Sequence, residues 1–314
     1  MPEVTPPEHM DPSSTSSLRH GLLAAGGAFL MWGLLPVYWK GLGRVGPLEI
    51  IAHRIVWSAV FSALVLTLQG RWDEIRSAVG LAASRWLLLA SSALLAVNWF
   101  VFIFAVNTGR VVEASLGYYI NPLVNVLLGF VFFRDRLTRV QSLAILLAVI
   151  GVGNMVWAHG RLPWISLVLA FSFGLFGLVR KVVRVKPLPG LFLESSLLGI
   201  PSALFLVSLG LGGTGALFTA GPLIDVLLLG AGAITATPLL LFAYGARRLR
   251  LTTLGVMQYI APTGMFLLGV LAYGEPFTRV HLVTFSCIWA GVGLYTWEGV
   301  ARFQRSKKHL TEPG

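Results

Sequence analysis

Hydrophobic positions in this chain run in long blocks, apolar all round rather than on one face. A helix that crosses a bilayer needs about 20 mostly apolar residues. Ten blocks have that length: 21–40, 48–69, 86–107, 111–133, 139–158, 163–180, 190–209, 223–244, 252–273 and 279–299. A β-barrel is excluded, because its strands alternate apolar and polar residues over about ten positions. Only a helix satisfies the peptide groups of such a segment internally. The connections are short, so consecutive helices are expected to be antiparallel neighbours. The longest, 70–85, carries Arg71-Trp72-Asp73-Glu74-Ile75-Arg76 and predicts a short helix at the membrane surface.

The polar ends frame this pattern. Residues 1–18 are rich in Pro, Ser and Thr and read as a disordered tail. The first block is too long for a signal-peptide core, contains Trp32 and Pro36, and lacks a clear cleavage site, so it is read as a retained span. Residues 301–314 form a basic tail.

Composition agrees. Of 314 residues, 56% are hydrophobic and 12% charged, against about 25% charged in soluble domains. The net charge of +11 would suggest nucleic acid in a soluble protein. Here its distribution decides otherwise. Alternate connections and both tails hold 18 Lys and Arg residues, while the remaining connections hold 5. That bias puts both termini in the cytoplasm, as an even number of spans requires, and makes the chain a multi-pass protein of the cytoplasmic membrane. Its surroundings are lipid, and no nucleic-acid partner is expected. The single cysteine, Cys287, rules out a disulfide framework and a Cys-based metal site. No cofactor or metal is expected. A homodimer is compatible with such a bundle.

The chain matches itself at a register of 140 residues. Tyr119-Ile120-Asn121-Pro122 falls on Tyr259-Ile260-Ala261-Pro262, Thr138-Arg139-Val140 on Thr278-Arg279-Val280, and Gly151-Val152-Gly153 on Gly291-Val292-Gly293. Between 119 and 157 there are 13 identities in 39 ungapped positions, and Asp135 falls on Glu275. Two five-helix units follow, at 19–158 and 159–300. Five is odd, so the second unit enters the membrane the other way up. The Arg content of the two matching loops, 134–139 and 274–279, shifts accordingly. The expected fold is an all-α membrane protein of ten transmembrane helices in two inverted five-helix repeats, an architecture of secondary transporters.

Three stretches carry a family resemblance: the run from Asn107 to Leu123, Trp32-Gly33-Leu34-Leu35-Pro36-Val37-Tyr38-Trp39-Lys40, and His53-Arg54-Ile55-Val56-Trp57-Ser58. In these the chain resembles the RarD proteins of the EamA family, in the drug/metabolite transporter superfamily. The resemblance covers nearly all of residues 20–300. It implies ten helices in two inverted repeats and a transport function, and it supplies no substrate.

Ionisable groups inside spans are costly and ask for a partner or a wet cavity. Glu49 and His53 are four apart and share a helix face, with Arg54 one residue further round. The group fits anion binding or proton relay, and equally a structural pin near the outer interface. Glu113 opens the fourth span, where coupling and capping of the helix dipole are alternatives. The pair Asn98-Trp99 lies mid-span. Tyr118, Tyr119 and Asn121 precede Pro122, which removes a backbone hydrogen bond and is expected to kink its helix. The second unit offers Gln258, Tyr259 and Pro262. Two symmetry-related interruptions with aromatic and amide groups predict a midplane substrate site, with Trp32, Tyr38 and Tyr244 as further lining. Gly26, Gly27, Gly33, Gly151, Gly153, Gly291 and Gly293 are expected to allow close helix packing.

Gly41-Leu42-Gly43-Arg44-Val45-Gly46 spells a dinucleotide-binding pattern, but no strand precedes it. There is no P-loop and no H-E-x-x-H. The expected function is alternating-access transport of a small organic solute, not catalysis. The alternative is a membrane-embedded enzyme using Glu49, His53 and Glu113 on a lipid-borne substrate.

Overall fold

The computed structural model describes residues 15–311 apart from 80–81, 135 and 184. Asp135 therefore lies outside the described residues, as does most of the N-terminal tail. The elements are α1 (Thr15–Gly41), α2 (Pro47–Leu68), α3 (Trp72–Val79), α4 (Ala82–Asn107), α5 (Val111–Phe133), α6 (Arg139–His159), α7 (Trp164–Val183), α8 (Pro187–Leu211), α9 (Pro222–Ala246), α10 (Leu251–Met257), α11 (Ile260–Leu267), a π turn (Leu268–Ala272) and α12 (Arg279–Thr311). Ten spans are long and apolar enough to cross a membrane, with α10, α11 and the π turn sharing one of them. Among the described residues every regular element is helical. A short helix, α3, does follow the second span, tied down by Arg71 and Lys186, both within 3.2 Å of Glu74.

Side-chain size decides how the helices meet. In α6 the buried residues are Ala144, Ala148, Gly151 and Met155, a narrow stripe of mostly small groups. Leu143, Leu146, Val149 and Ile150 on its other faces are exposed, as lipid contact requires. The stripe packs on α12. A Cβ at Gly151 would come 3.0 Å from the Thr284 carbonyl, and one at Gly291 would come 2.7 Å from the Ala144 carbonyl. These contacts exchange partners at the 140-residue register: Gly151 pairs with Thr284, and Ala144 with Gly291. Tyr119 and Tyr259, 140 residues apart, stack with ring centroids 6.3 Å apart. Gly33 abuts Gly264, and Gly174 abuts Val124, at nearly the same offset.

Three of the glycine expectations hold: Gly33, Gly151 and Gly291 are at close approaches. Gly153 and Gly293 face open space within 4 Å and carry no close packing. They lie two residues along from the packed pair, about 200° round the helix. Gly232 of α9 is a close approach that periodicity did not single out. A Cβ there would run into the Trp57 carbonyl of α2.

The two proline sites are built differently. Pro122 lies within α5, which continues unbroken to Phe133. The ninth span is interrupted, at Gln258–Tyr259 between α10 and α11, and passes into the π turn after Leu267.

Candidate functional site: a buried arginine cage

Arg54 lies seven residues into α2, on the order of 10 Å along the helix from its start. It is buried, at 5% exposure. Its guanidinium carbon stands 4.1 Å from the ring centroid of Trp99 on α4 and 4.9 Å from that of Trp39 on α1. Indole faces attract a cation through the ring quadrupole, more strongly when both are desolvated. Nε donates to the Thr235 hydroxyl of α9 at 3.1 Å, and that hydroxyl donates to the Ala231 carbonyl one turn earlier. Four spans from both halves of the chain thus meet at one guanidinium.

The surrounding polar groups are held in place. Asn98 donates from Nδ2 to the Leu169 carbonyl and the Ser172 hydroxyl of α7, at 3.1 and 3.0 Å. Its Oδ1 accepts from the Tyr118 hydroxyl at 3.3 Å. The Tyr38 hydroxyl donates to the Leu227 carbonyl. Two donors remain. Arg54 Nη1 and Trp39 Nε1 are buried without a hydrogen-bond partner. Among the described residues no carboxylate oxygen comes within 4 Å of Arg54.

Neighbours in sequence serve elsewhere. His53 Nδ1 accepts from Trp57 Nε1 at 3.2 Å, and its Nε2 stands 3.9 Å from Glu49. Glu49 accepts from the Ala216 amide, which ties the start of α2 to the α8–α9 connection. Beside the cage, a tight crevice with no room for a water molecule is lined by Trp99, Leu95 and Ser92 of α4 and by Glu194 and Ser195 of α8.

A second region gathers other predicted residues. Tyr119 and Tyr259 line an open groove of about 590 Å³ with Trp289 and Trp297 of α12. The Tyr119 hydroxyl is 2.7 Å from that of Thr263.

Comparison with known proteins agrees with this architecture. Residues 19–157 match the model of the EamA-like transporter family. The chain is 44% identical over 296 residues to the uncharacterized transporter YojE of Bacillus subtilis, covering 93% of this chain and 98% of that one. It is 43% identical over 282 residues to an uncharacterized transporter of Vibrio cholerae, covering 90% and 93%. It is 39% identical over 290 residues to protein RarD of Escherichia coli, covering 92% and 98%. The chain belongs to the EamA-like transporter family. One solved structure shares the fold at a TM-score of 0.55 and 19% identity, covering 91% of this chain and 98% of that one.

In this EamA-family protein the predicted site residues divide into several places. Tyr38, Arg54, Asn98, Trp99 and Tyr118 meet at the cage. Trp32 packs with Phe29 and Phe242 in a separate aromatic cluster. Tyr244 is exposed, with Arg248 over its ring. Gln258 donates locally to the Gly255 carbonyl. Buried Asn121 donates to the Ala170 carbonyl, pinning α5 to α7. Pro262 is buried in α11. Glu113 accepts from Arg110 and from the Ile165 amide, joining the starts of α5 and α7.

Sequence reasoning passed over three groups. Trp39 and Thr235 complete the cage; an indole beside Tyr38 and a threonine among alanines looked like ordinary span residues. Glu275, noted only as a match to Asp135, accepts from the Val111 and Val112 amides at 2.7 Å each and caps α5.

Proposed function

We propose that the protein is a secondary transporter that moves a small organic solute across the cytoplasmic membrane by alternating access. The observation that carries this reading is the exchange of partners between Gly151–Thr284 and Ala144–Gly291, with Tyr119 stacked on its own counterpart Tyr259. Contacts of that kind are what a two-fold relation between 19–158 and 159–300 produces. Because each unit has five spans, the relation inverts one unit in the bilayer. Inverted units can trade conformations, which gives an outward-open and an inward-open state around one site. The 18 to 5 distribution of Lys and Arg supports cytoplasmic termini. The enzyme alternative is weakened by Glu49 and Glu113, whose carboxylates are both engaged by backbone amides of other segments.

The test uses access from the two sides. In a Cys287→Ala protein, Ala96→Cys puts a thiol in the crevice beside the cage. A membrane-impermeant thiol reagent is applied to either face of sealed proteoliposomes. Alternating access predicts labelling from both faces, with conditions that raise one rate lowering the other. Labelling from neither face, or from one face only under every condition, would sink the reading.

A further inference from the structure

Resting on the transport reading, we infer that the Arg54 cage is the substrate-recognition site and that the substrate is a monoanionic carboxylate with a flat apolar body. Arg54 is 5% exposed and Trp39 is fully buried, yet Nη1 of one and Nε1 of the other have no acceptor among the described residues. Buried polar groups are almost always hydrogen-bonded, so two orphans on one cage mark a place where an acceptor binds. Both orphans are donors. They select a group that only accepts, and the fixed charge of Arg54 selects a negative one.

The charge count limits the ligand further. Among the described residues no second cation stands over Trp39 or Trp99, so one guanidinium balances a single negative charge, which favours a carboxylate over a doubly charged phosphate ester. A zwitterion would need a free acid for its ammonium. The nearest acid along the crevice, Glu194, is held by Ser91 at 2.7 Å and Arg180 at 3.6 Å. The ligand body meets Trp39, Trp99, Tyr38 and Tyr118, whose ring faces and edges favour a planar apolar group. The crevice from Trp99 to Glu194 is closed in this structure, so entry of that body requires the α4–α8 face to open.

The probes are phenylpyruvate and phenylacetate, with phenylacetamide, phenethylamine, phenyl phosphate and phenylalanine as neutral, cationic, dianionic and zwitterionic counterparts. Purified full-length protein in detergent is titrated while tryptophan emission and thermal shift are followed. The carboxylates are expected to bind and change the emission. Arg54→Gln should weaken them by about 10- to 100-fold, the worth of one or two charge-assisted hydrogen bonds. Trp39→Phe, which keeps the ring and removes Nε1, should weaken them by about 3- to 10-fold, so the inference stays testable if Arg54→Gln does not fold. Equal binding of the amide, amine, phosphate or zwitterion, binding unchanged in both variants, or no carboxylate binding at all overturns the anion assignment. Proteoliposomes loaded with labelled phenylpyruvate separate this from the transport reading. Carboxylate binding that depends on Arg54 without any flux overturns transport and leaves the site. Flux of a neutral or cationic solute that ignores Arg54→Gln overturns the site and leaves transport.

Discussion

Arg54 and Arg180 are both drawn into the helical bundle, and the protein treats them in opposite ways. Arg180, near the end of α7, has Glu194 of α8 at 3.6 Å, and Glu194 is almost fully buried and also accepts from Ser91. That cluster is balanced in charge, with positive and negative groups both supplied by the chain, although Arg180 Nη1, like Arg54 Nη1, is buried without a hydrogen-bond partner. Arg54 has indole faces and one threonine hydroxyl, but no carboxylate among the described residues. A buried ion pair locks two elements together, and losing one partner strands the other charge. A buried cation held by quadrupoles keeps its charge available. The contrast separates a fastening from the proposed site, although both read in the sequence as an arginine beside apolar residues.

The sharpest way to break this contrast is to compare two variants by unfolding in mixed micelles. Glu194→Ala strands Arg180 and should cost about 3–5 kcal/mol. Arg54→Gln removes a charge that has no ion partner among the described residues and should cost clearly less while weakening carboxylate binding by about 10- to 100-fold. Equal losses of stability would mean that Arg54, too, is a fastening. Next in size is Thr235→Val, which removes the acceptor of Nε at almost constant shape. A charged donor left unsatisfied costs about 1.5–3 kcal/mol, and the loss should vanish in the Arg54→Gln background.

Two glycines sharpen the comparison in packing. Gly232→Ala pushes a methyl into the Trp57 carbonyl behind the Arg54 cage, where backbone cannot yield, and should cost about 1–3 kcal/mol in the same unfolding assay. Gly190→Ala first meets the Arg180 guanidinium, the far end of a flexible side chain, and should cost less than Gly232→Ala. The reverse order would place the rigid contact at the ion pair.

The smallest effect concerns Glu74, outside the spans. Hydrogen bonds from Arg71 and Lys186 lower its carboxyl from the ordinary 4.5 to about 2. A lowered folded-state value stabilises the fold fully above pH 4.5, and that contribution is lost as pH falls toward 2. Glu74→Gln should therefore reduce thermal stability at pH 7 by under about 1 kcal/mol, the scale of exposed pairs. The gap from the parent protein should close between pH 4.5 and 2. A gap independent of pH would show that the tie does not act through charge.

Much of the candidate site was legible. Tyr38, Arg54, Asn98, Trp99 and Tyr118 stood out because polar and aromatic groups inside apolar spans need a reason. Their assembly at one guanidinium was not legible, nor was the divergence of Tyr119 and Tyr259 into a groove of their own. Glu49, His53 and Arg54 are nearly adjacent in the chain, yet Arg54 makes no ion pair with Glu49. A step of five residues turns Arg54 well away from it round α2.

By itself the sequence determined the ten spans, the short helix α3 and the 140-residue register. Segment length, backbone hydrogen bonding and ancestry are all written along one chain. Tertiary structure alone decided that Trp39 and Thr235 close the cage and that Arg180 finds Glu194. The spans are apolar all round, and lipid is as apolar as a neighbouring helix, so hydrophobic periodicity cannot say which face packs inward. Small residues and close backbone approaches make that choice, and only the packed bundle shows which polar groups they bring together.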